Sequence, residues 1–145
     1  MAVGLPKVIK GKTAYYATFD GGVKLTERIG SFGAILWRLP DWTIVAAVQG
    51  VVEDATVNVA EYHGCLAALK LATQNNVGTL DVFGDSRLII NQLQDVIQCK
   101  HPRLQVLKRT IQSMSSNLNN VEYHHVKRMW NAPADFLANA AMSSR

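Results

Sequence analysis

The chain has 145 residues, of which 48% are hydrophobic, so it can form one compact domain that buries about two-thirds of its unfolded surface. No run approaches the ~20 apolar residues of a membrane-spanning helix, and we expect no membrane association. Basic residues number 15 against 11 acidic ones, and this net charge of +4 favours a polyanionic partner. The chain has only two cysteines, and neither has metal-ligand spacing; so few cysteines favour a reducing, intracellular compartment, cytoplasmic or nuclear.

The first half of the chain has the pattern of a strand meander. We expect residues 1–13, rich in lysine and glycine, to form a flexible basic lead-in, and residues 14–145 to form a single domain. Three runs rich in β-forming residues follow, Ala14–Phe19, Phe32–Leu39 and Thr43–Val52. Asp20-Gly21-Gly22 predicts a turn after the first run, and Pro40-Asp41 predicts a hairpin turn between the other two.

The second half alternates helical and strand-like segments. Predicted helices are Asn58–Thr73, Ser86–Val96, one that opens at Pro102 and fades at Ser115-Ser116-Asn117, and Ala132–Met142; predicted strands are Thr79–Phe83 and Val121–Val126. Asn58 is expected to cap the first helix. The order β-β-β-α-β-α-α-β-α predicts an α/β fold, in which a five-stranded mixed sheet, an antiparallel meander followed by α/β units, is flanked by helices.

Four carboxylates, Asp20, Glu61, Asp85 and Asp135, stand at landmarks of this pattern. Asp20 and Asp85 follow predicted strands, where ligand sites form in such sheets, whereas Glu61 and Asp135 lie early in predicted helices. Asp135 alone could also be an acid that interacts with the helix dipole. Acids gathered from different elements suit hard divalent cations such as Mg²⁺. Two such ions can clamp the attacking and leaving oxygens of a displacement at phosphorus.

We therefore expect a phosphoryl-transfer enzyme that uses two Mg²⁺ ions, with Mn²⁺ as a substitute. Asp20 would bridge both ions because the two glycines after it allow close approach. Glu61 and Asp85 would support one ion, and Asp135 the other. Crowding of like charge should raise the pKa of at least one of these acids in the absence of metal.

The motifs that carry these acids resemble the type 1 ribonuclease H family. They are Asp20-Gly21-Gly22, Thr56-x-Asn58-x-Ala60-Glu61-Tyr62, Asp85-Ser86 and His125-Val126-x-Arg128-x-x-Asn131-x-x-Ala134-Asp135, in the family order from about Tyr15 to Ala141. The resemblance implies a ribonuclease H-like fold, Mg²⁺ dependence and action on RNA–DNA hybrids, and we also expect a monomer. It implies an endonuclease that cuts the RNA strand with water as nucleophile and leaves 5′-phosphate ends.

The resemblance also implies roles for individual residues. The catalytic and metal-binding acids would be Asp20, Glu61, Asp85 and Asp135, with His125 assisting proton transfer or product release; Thr56, Asn58, Ser86, Arg128 and Asn131 would contact the substrate. Arg128 could take the place of His125, which is otherwise a strand-end histidine. Asn58, Ser86 and Asn131 could instead be helix caps.

The sequence departs from the family pattern at two places, and two other functions are also consistent with it. Val57 stands where the family often has a second polar residue, and the short basic link Gln98–Arg103 replaces an additional basic helix. One alternative is a non-cutting nucleic-acid-binding module of a retroelement polyprotein. The other is a related nuclease of the same superfold, because a fold does not determine a function.

Overall fold

The computed structural model describes residues 13–131, so residues 1–12 and the predicted last helix, Ala132–Met142, lie outside the described residues. The described elements are β1 Ala14–Lys24, β2 Ile29–Leu39, β3 Thr43–Val52, α1 Val57–Gln74, β4 Thr79–Gly84, α2 Arg87–Leu93, α3 Pro102–Ser115, β5 Asn120–His125 and a short 3₁₀ helix Arg128–Asn131. Up to β5, their order agrees with the predicted order of strands and helices.

The described strands form one mixed sheet in the order β3-β2-β1-β4-β5. β1 pairs antiparallel with β2, and β2 with β3, which is the predicted meander. β1 pairs parallel with β4, and β4 with β5. Parallel neighbours need a crossover connection, which α1 supplies before β4 and which α2 and α3 supply before β5. The predicted five-stranded α/β sheet is confirmed.

The turn predicted at Asp20-Gly21-Gly22 is wrong. β1 continues to Lys24 and stays paired with β2 along this segment, with Asp20 opposite Gly33 and Gly22 opposite Ser31. Pairing with β2 keeps this segment extended, and the Gly21 amide finds its acceptor in Asp20 Oδ1, so these glycines need not leave the sheet. The chain reverses instead at residues 25–28, where Arg28 has a φ of 55°.

The first two helices differ from the prediction at their ends. α1 begins at Val57 because the Thr56 hydroxyl caps it, accepting a hydrogen bond from the Val59 amide at 3.2 Å. The cap predicted at Asn58 is therefore wrong, and Asn58 lies in the first helical turn. α2 ends at Leu93 rather than Val96, and the backbone turns away at Asp95, whose φ is 60°.

One face of the sheet packs against α1 in a close contact. The main core cluster draws buried side chains from the sheet and the helices, among them Phe19, Leu36, Leu69, Leu80 and Ile111. Glycines at the interface let the backbones meet: a Cβ on Gly64 of α1 would lie 2.8 Å from the Asp20 carbonyl oxygen. In residues 13–131, no helix has the length and apolar character needed to cross a bilayer.

Gly21 is the position of β1 where this contact is tightest, and it provides a test. A Cβ on Gly21 would lie 2.4 Å from the Ala60 carbonyl carbon and 2.5 Å from the Glu61 nitrogen. We expect Gly21→Ala to lower the free energy of unfolding by about 1–3 kcal/mol, because α1 must move away from β1. Urea unfolding followed by circular dichroism measures the change.

Gly22→Ala is the matched control, because a Cβ there meets nothing within 4 Å. Both substitutions remove the same flexibility from the unfolded chain, so the difference between them isolates the contact with α1. Equal unfolding midpoints for the two variants would contradict the close approach.

Candidate functional site

Three of the four predicted acids meet at one point of the structure. The carboxylates of Asp20, Glu61 and Asp85, which we call the acid cluster, have oxygens that all lie within 4.8 Å of one another. Asp20 and Glu61 are only 3% and 5% exposed, and Asp85 is half-buried. The fourth acid, Asp135, lies outside the described residues.

The sheet itself creates the space for the acid cluster. The parallel pairing of β1 with β4 ends at Thr18 and Phe83, and Asp20 and Asp85 each lie two residues beyond that last pair. Neighbouring parallel strands separate at their carboxyl ends, and side chains there face a crevice. Asp20 is also held locally, since its Oδ1 accepts a hydrogen bond of 2.9 Å from the Gly21 amide. The acid cluster thus draws one residue from β1, one from α1 and one from the link that directly follows β4.

Glu61 is the electrostatically unusual member of the acid cluster. Burial, the negative charges of Asp20 and Asp85 and a hydrogen bond with Asp20 raise its pKa to about 10, against a smaller lowering by the Arg128 guanidinium. Its buried Oε2 has no hydrogen-bond partner within the described part of the chain. A buried carboxyl with an unsatisfied oxygen beside two other acids is costly unless a cation joins them. This all-oxygen donor set fits a hard divalent cation.

The segment after β5 returns to the acid cluster. Arg128 begins the 3₁₀ helix, close enough for its charge to act on Glu61. Asn131 ends that helix, fully buried, and its amide donates to the carbonyl oxygen of Phe19, next to Asp20. Asn131 therefore fastens this segment to β1, and its predicted contact with substrate stays a prediction. His125 ends β5 but does not belong to the acid cluster, so its role also stays a prediction.

The three residues predicted to contact substrate beside the acids lie at helix starts. Thr56 caps α1, and the Ser86 hydroxyl caps α2 by accepting from the Ile89 amide at 3.3 Å. A hydroxyl that accepts one hydrogen bond can still donate another, so capping and substrate contact are compatible. Asn58 lies one helical turn before Glu61, and the two side chains share a side of α1. All three therefore lie within five residues of an acid along the chain, and their contacts with substrate stay predictions.

Arg103 makes contacts that the sequence does not predict. It lies in the first turn of α3, and its guanidinium donates to the carbonyl oxygens of Glu53, at 3.3 Å, and of Asp54. Asp54 also pairs with Arg28 at 3.0 Å. These contacts hold the loop that leads from β3 to Thr56. No local pattern could have revealed them, because Arg103 follows Glu53 by 50 positions.

Sequence comparison agrees with the geometry of the site. The model of the family described as reverse transcriptase-like matches residues 18–141. The chain is 34% identical over 125 residues to the bifunctional protein Rv2228c of Mycobacterium tuberculosis, covering 86% of this chain and 34% of that protein. It thus spans about a third of the length of that relative. It is 30% identical over 127 residues to ribonuclease HI of Halobacterium salinarum, covering 88% of this chain and 63% of that one.

Solved structures share the fold closely. The N-terminal ribonuclease H domain of Rv2228c, solved as a fusion with maltose-binding protein, has a TM-score of 0.85 at 32% identity and covers 90% of this chain and 94% of that one. LC11 ribonuclease H1, solved in complex with an RNA/DNA hybrid, has a TM-score of 0.83 at 25% identity over 90% of this chain and 98% of that one. The resemblance to ribonuclease H is confirmed, and the chain belongs to the reverse transcriptase-like family.

Proposed function

We propose that this chain is an endoribonuclease that hydrolyses the RNA strand of RNA–DNA hybrids and leaves 5′-phosphate ends. The observation that carries the proposal is the convergence of Asp20, Glu61 and Asp85 just beyond the point where the parallel pairing of β1 with β4 ends. The structural similarity of this chain to LC11 ribonuclease H1, which was solved in complex with an RNA/DNA hybrid, supports the proposed substrate. The net charge of +4 suits a polyanionic partner.

The acid cluster, together with Asp135, would hold two Mg²⁺ ions, for which Mn²⁺ would substitute. Asp20 is the residue proposed to serve both ions, because its side chain is hydrogen-bonded to Glu61 and its strand, β1, pairs with β4, which leads to Asp85. Bound divalent ions supply Lewis-acid stabilisation of phosphate oxygens and lower the pKa of a bound water. The unsatisfied Oε2 of Glu61 supports this fit, since ligation would satisfy it.

The remaining residues would bind and orient the hybrid. Asn58 and Ser86 flank the acids and would contact ribose 2′-hydroxyls, the groups that distinguish RNA from DNA. Thr56 would donate to a phosphate of the DNA strand from its position in the loop held by Arg103. Arg128 would offset charge on the phosphate at the cleavage site, and His125 would assist proton transfer or product release. We also propose a monomer that acts inside the cell, in the cytoplasm or nucleus.

The alternative of a non-cutting module is less consistent with the electrostatics. Two buried acids and a third beside them repel nucleic-acid phosphates, and a module that only binds would be better served by neutral or basic residues. A related nuclease with another substrate keeps the same site, so it must be distinguished by the substrates that are cut.

The proposed activity predicts a specific pattern of cleavage. With Mg²⁺, we expect the RNA strand of a labelled hybrid to be cut, while double-stranded RNA, single-stranded RNA and duplex DNA stay intact. Asp85→Asn keeps the shape of the side chain but removes a ligand charge, and we expect its rate to fall by at least about 10²-fold, equivalent to roughly 3 kcal/mol of transition-state stabilisation. Gel analysis of the labelled strands provides the measurement.

Asp41→Asn is the matched control, because this exposed aspartate lies in the turn between β2 and β3 and outside the acid cluster. Its rate should stay close to that of the original chain. Binding of an intact hybrid without cleavage would favour the non-cutting module, and cleavage of DNA would overturn the proposed substrate.

The raised pKa of Glu61 predicts a pH dependence of stability without metal. Because the folded-state pKa, about 10, exceeds the unfolded value of 4.5, the folded chain holds a proton that the unfolded chain loses. Glu61 therefore contributes stability below pH 4.5 that is progressively lost as the pH rises toward 10. In EDTA, we expect the free energy of unfolding of the original chain to fall more steeply between pH 6 and pH 9 than that of Glu61→Gln.

Urea titrations at several pH values measure both slopes, and groups common to the two chains cancel in the difference. Mg²⁺ should recover more stability at pH 9 than at pH 6, since ligation needs ionised carboxylates. Parallel curves for the two chains would show that Glu61 titrates normally.

A further inference from the structure

A second group of metal-ligand side chains lies on the outer strands of the sheet. Asp81 of β4 and Glu122 and His124 of β5, which we call the edge triad, have ligand atoms within 4.8 Å of one another. β4 and β5 pair in parallel with Asp81 opposite Glu122 and Phe83 opposite His124. Side chains at alternate positions of a strand share a face, so this register places the edge triad on one face of the sheet.

Two contacts hold the imidazole of the edge triad in place. The His124 ring stacks on buried Phe83, with ring centroids 4.8 Å apart and planes at 24°. Its Nε2 lies 2.7 Å from Asp81 Oδ1. The side chains of His124 and Asp81 are 27% and 21% exposed, and Glu122 is exposed, so an ion from solvent can reach all of them. The site thus combines an oriented ring with two accessible carboxylates.

We propose that the edge triad binds a borderline divalent transition-metal ion, for which Zn²⁺ is the probe. One imidazole with two carboxylates is a donor set that suits Zn²⁺, which accepts nitrogen and oxygen ligands at about 2.0–2.2 Å. It differs from the all-oxygen acid cluster, which suits Mg²⁺. Three protein ligands leave a coordination position for water. A bound ion would join β5, the outermost described strand on its side of the sheet, to β4.

The edge triad is separate from the acid cluster. Asp81 precedes Asp85 by four residues, which corresponds to roughly 13 Å along an extended strand. The proposal does not depend on nuclease activity, so the two can fail independently. The competing explanation is a simple Asp81–His124 ion pair with Glu122 nearby.

Calorimetric titration of the tag-free chain with Zn²⁺ tests the proposal. The starting protein carries Asp20→Asn and Asp85→Asn, which weaken the acid cluster as a competing site. We expect one equivalent of Zn²⁺ to bind. Glu122→Gln and His124→Gln, each added to this background, should weaken that binding by at least tenfold.

His125→Gln in the same background is the matched control, because His125 neighbours His124 but is not a member of the edge triad. It should leave Zn²⁺ binding unchanged. Because Glu122 is exposed, its substitution should not disturb folding, and its result decides the matter if His124→Gln does not fold. The proposal is overturned if the background protein binds no Zn²⁺, if Glu122→Gln binds as well as the background, or if His125→Gln weakens binding equally.

Discussion

The site depends on the close approach of α1 to β1. Gly21 and Gly64 lack side chains where the two backbones meet, and a Cβ at either position would fall within 3 Å of backbone atoms of the other element. This contact brings Glu61 down beside Asp20. Asp85 joins them because the parallel pairing of β1 with β4 ends two residues before Asp20 and two residues before Asp85. Packing of backbone against backbone, rather than attraction between side chains, gathers the three acids.

That packing imposes an electrostatic cost, which the proposed function uses. Burial and the negative charges of Asp20 and Asp85 keep the pKa of Glu61 high while no cation is bound. The electrostatic potential at the acid cluster therefore favours binding of a positive charge. The Arg128 guanidinium offsets part of this negative charge. It lies in the segment that the hydrogen bond from Asn131 to Phe19 connects to β1. A divalent cation would neutralise the remaining negative charge of the acid cluster and would at the same time attract a phosphate.

Much of the fold could be predicted from the sequence, because it follows from local patterns. β3 matches its predicted range, and α3 opens at Pro102 as predicted. The sequence predicts too short a β1, because glycines usually signal turns, whereas the pairing of β1 with β2 depends on residues distant in sequence. The order of the motifs predicts the three acids of the acid cluster. It does not predict the hydrogen bonds from Arg103 to the loop before Thr56, because these join residues about fifty positions apart.

Anomalous diffraction from crystals grown with Mn²⁺ would test the central claim most directly, that the acid cluster is a metal site. We predict an anomalous peak within coordination distance of carboxylate oxygens of both Asp20 and Glu61. Crystals of Glu61→Gln should show a weaker peak or none at that position. Well-ordered carboxylates with no Mn²⁺ between them, at a concentration that supports cleavage, would contradict the account.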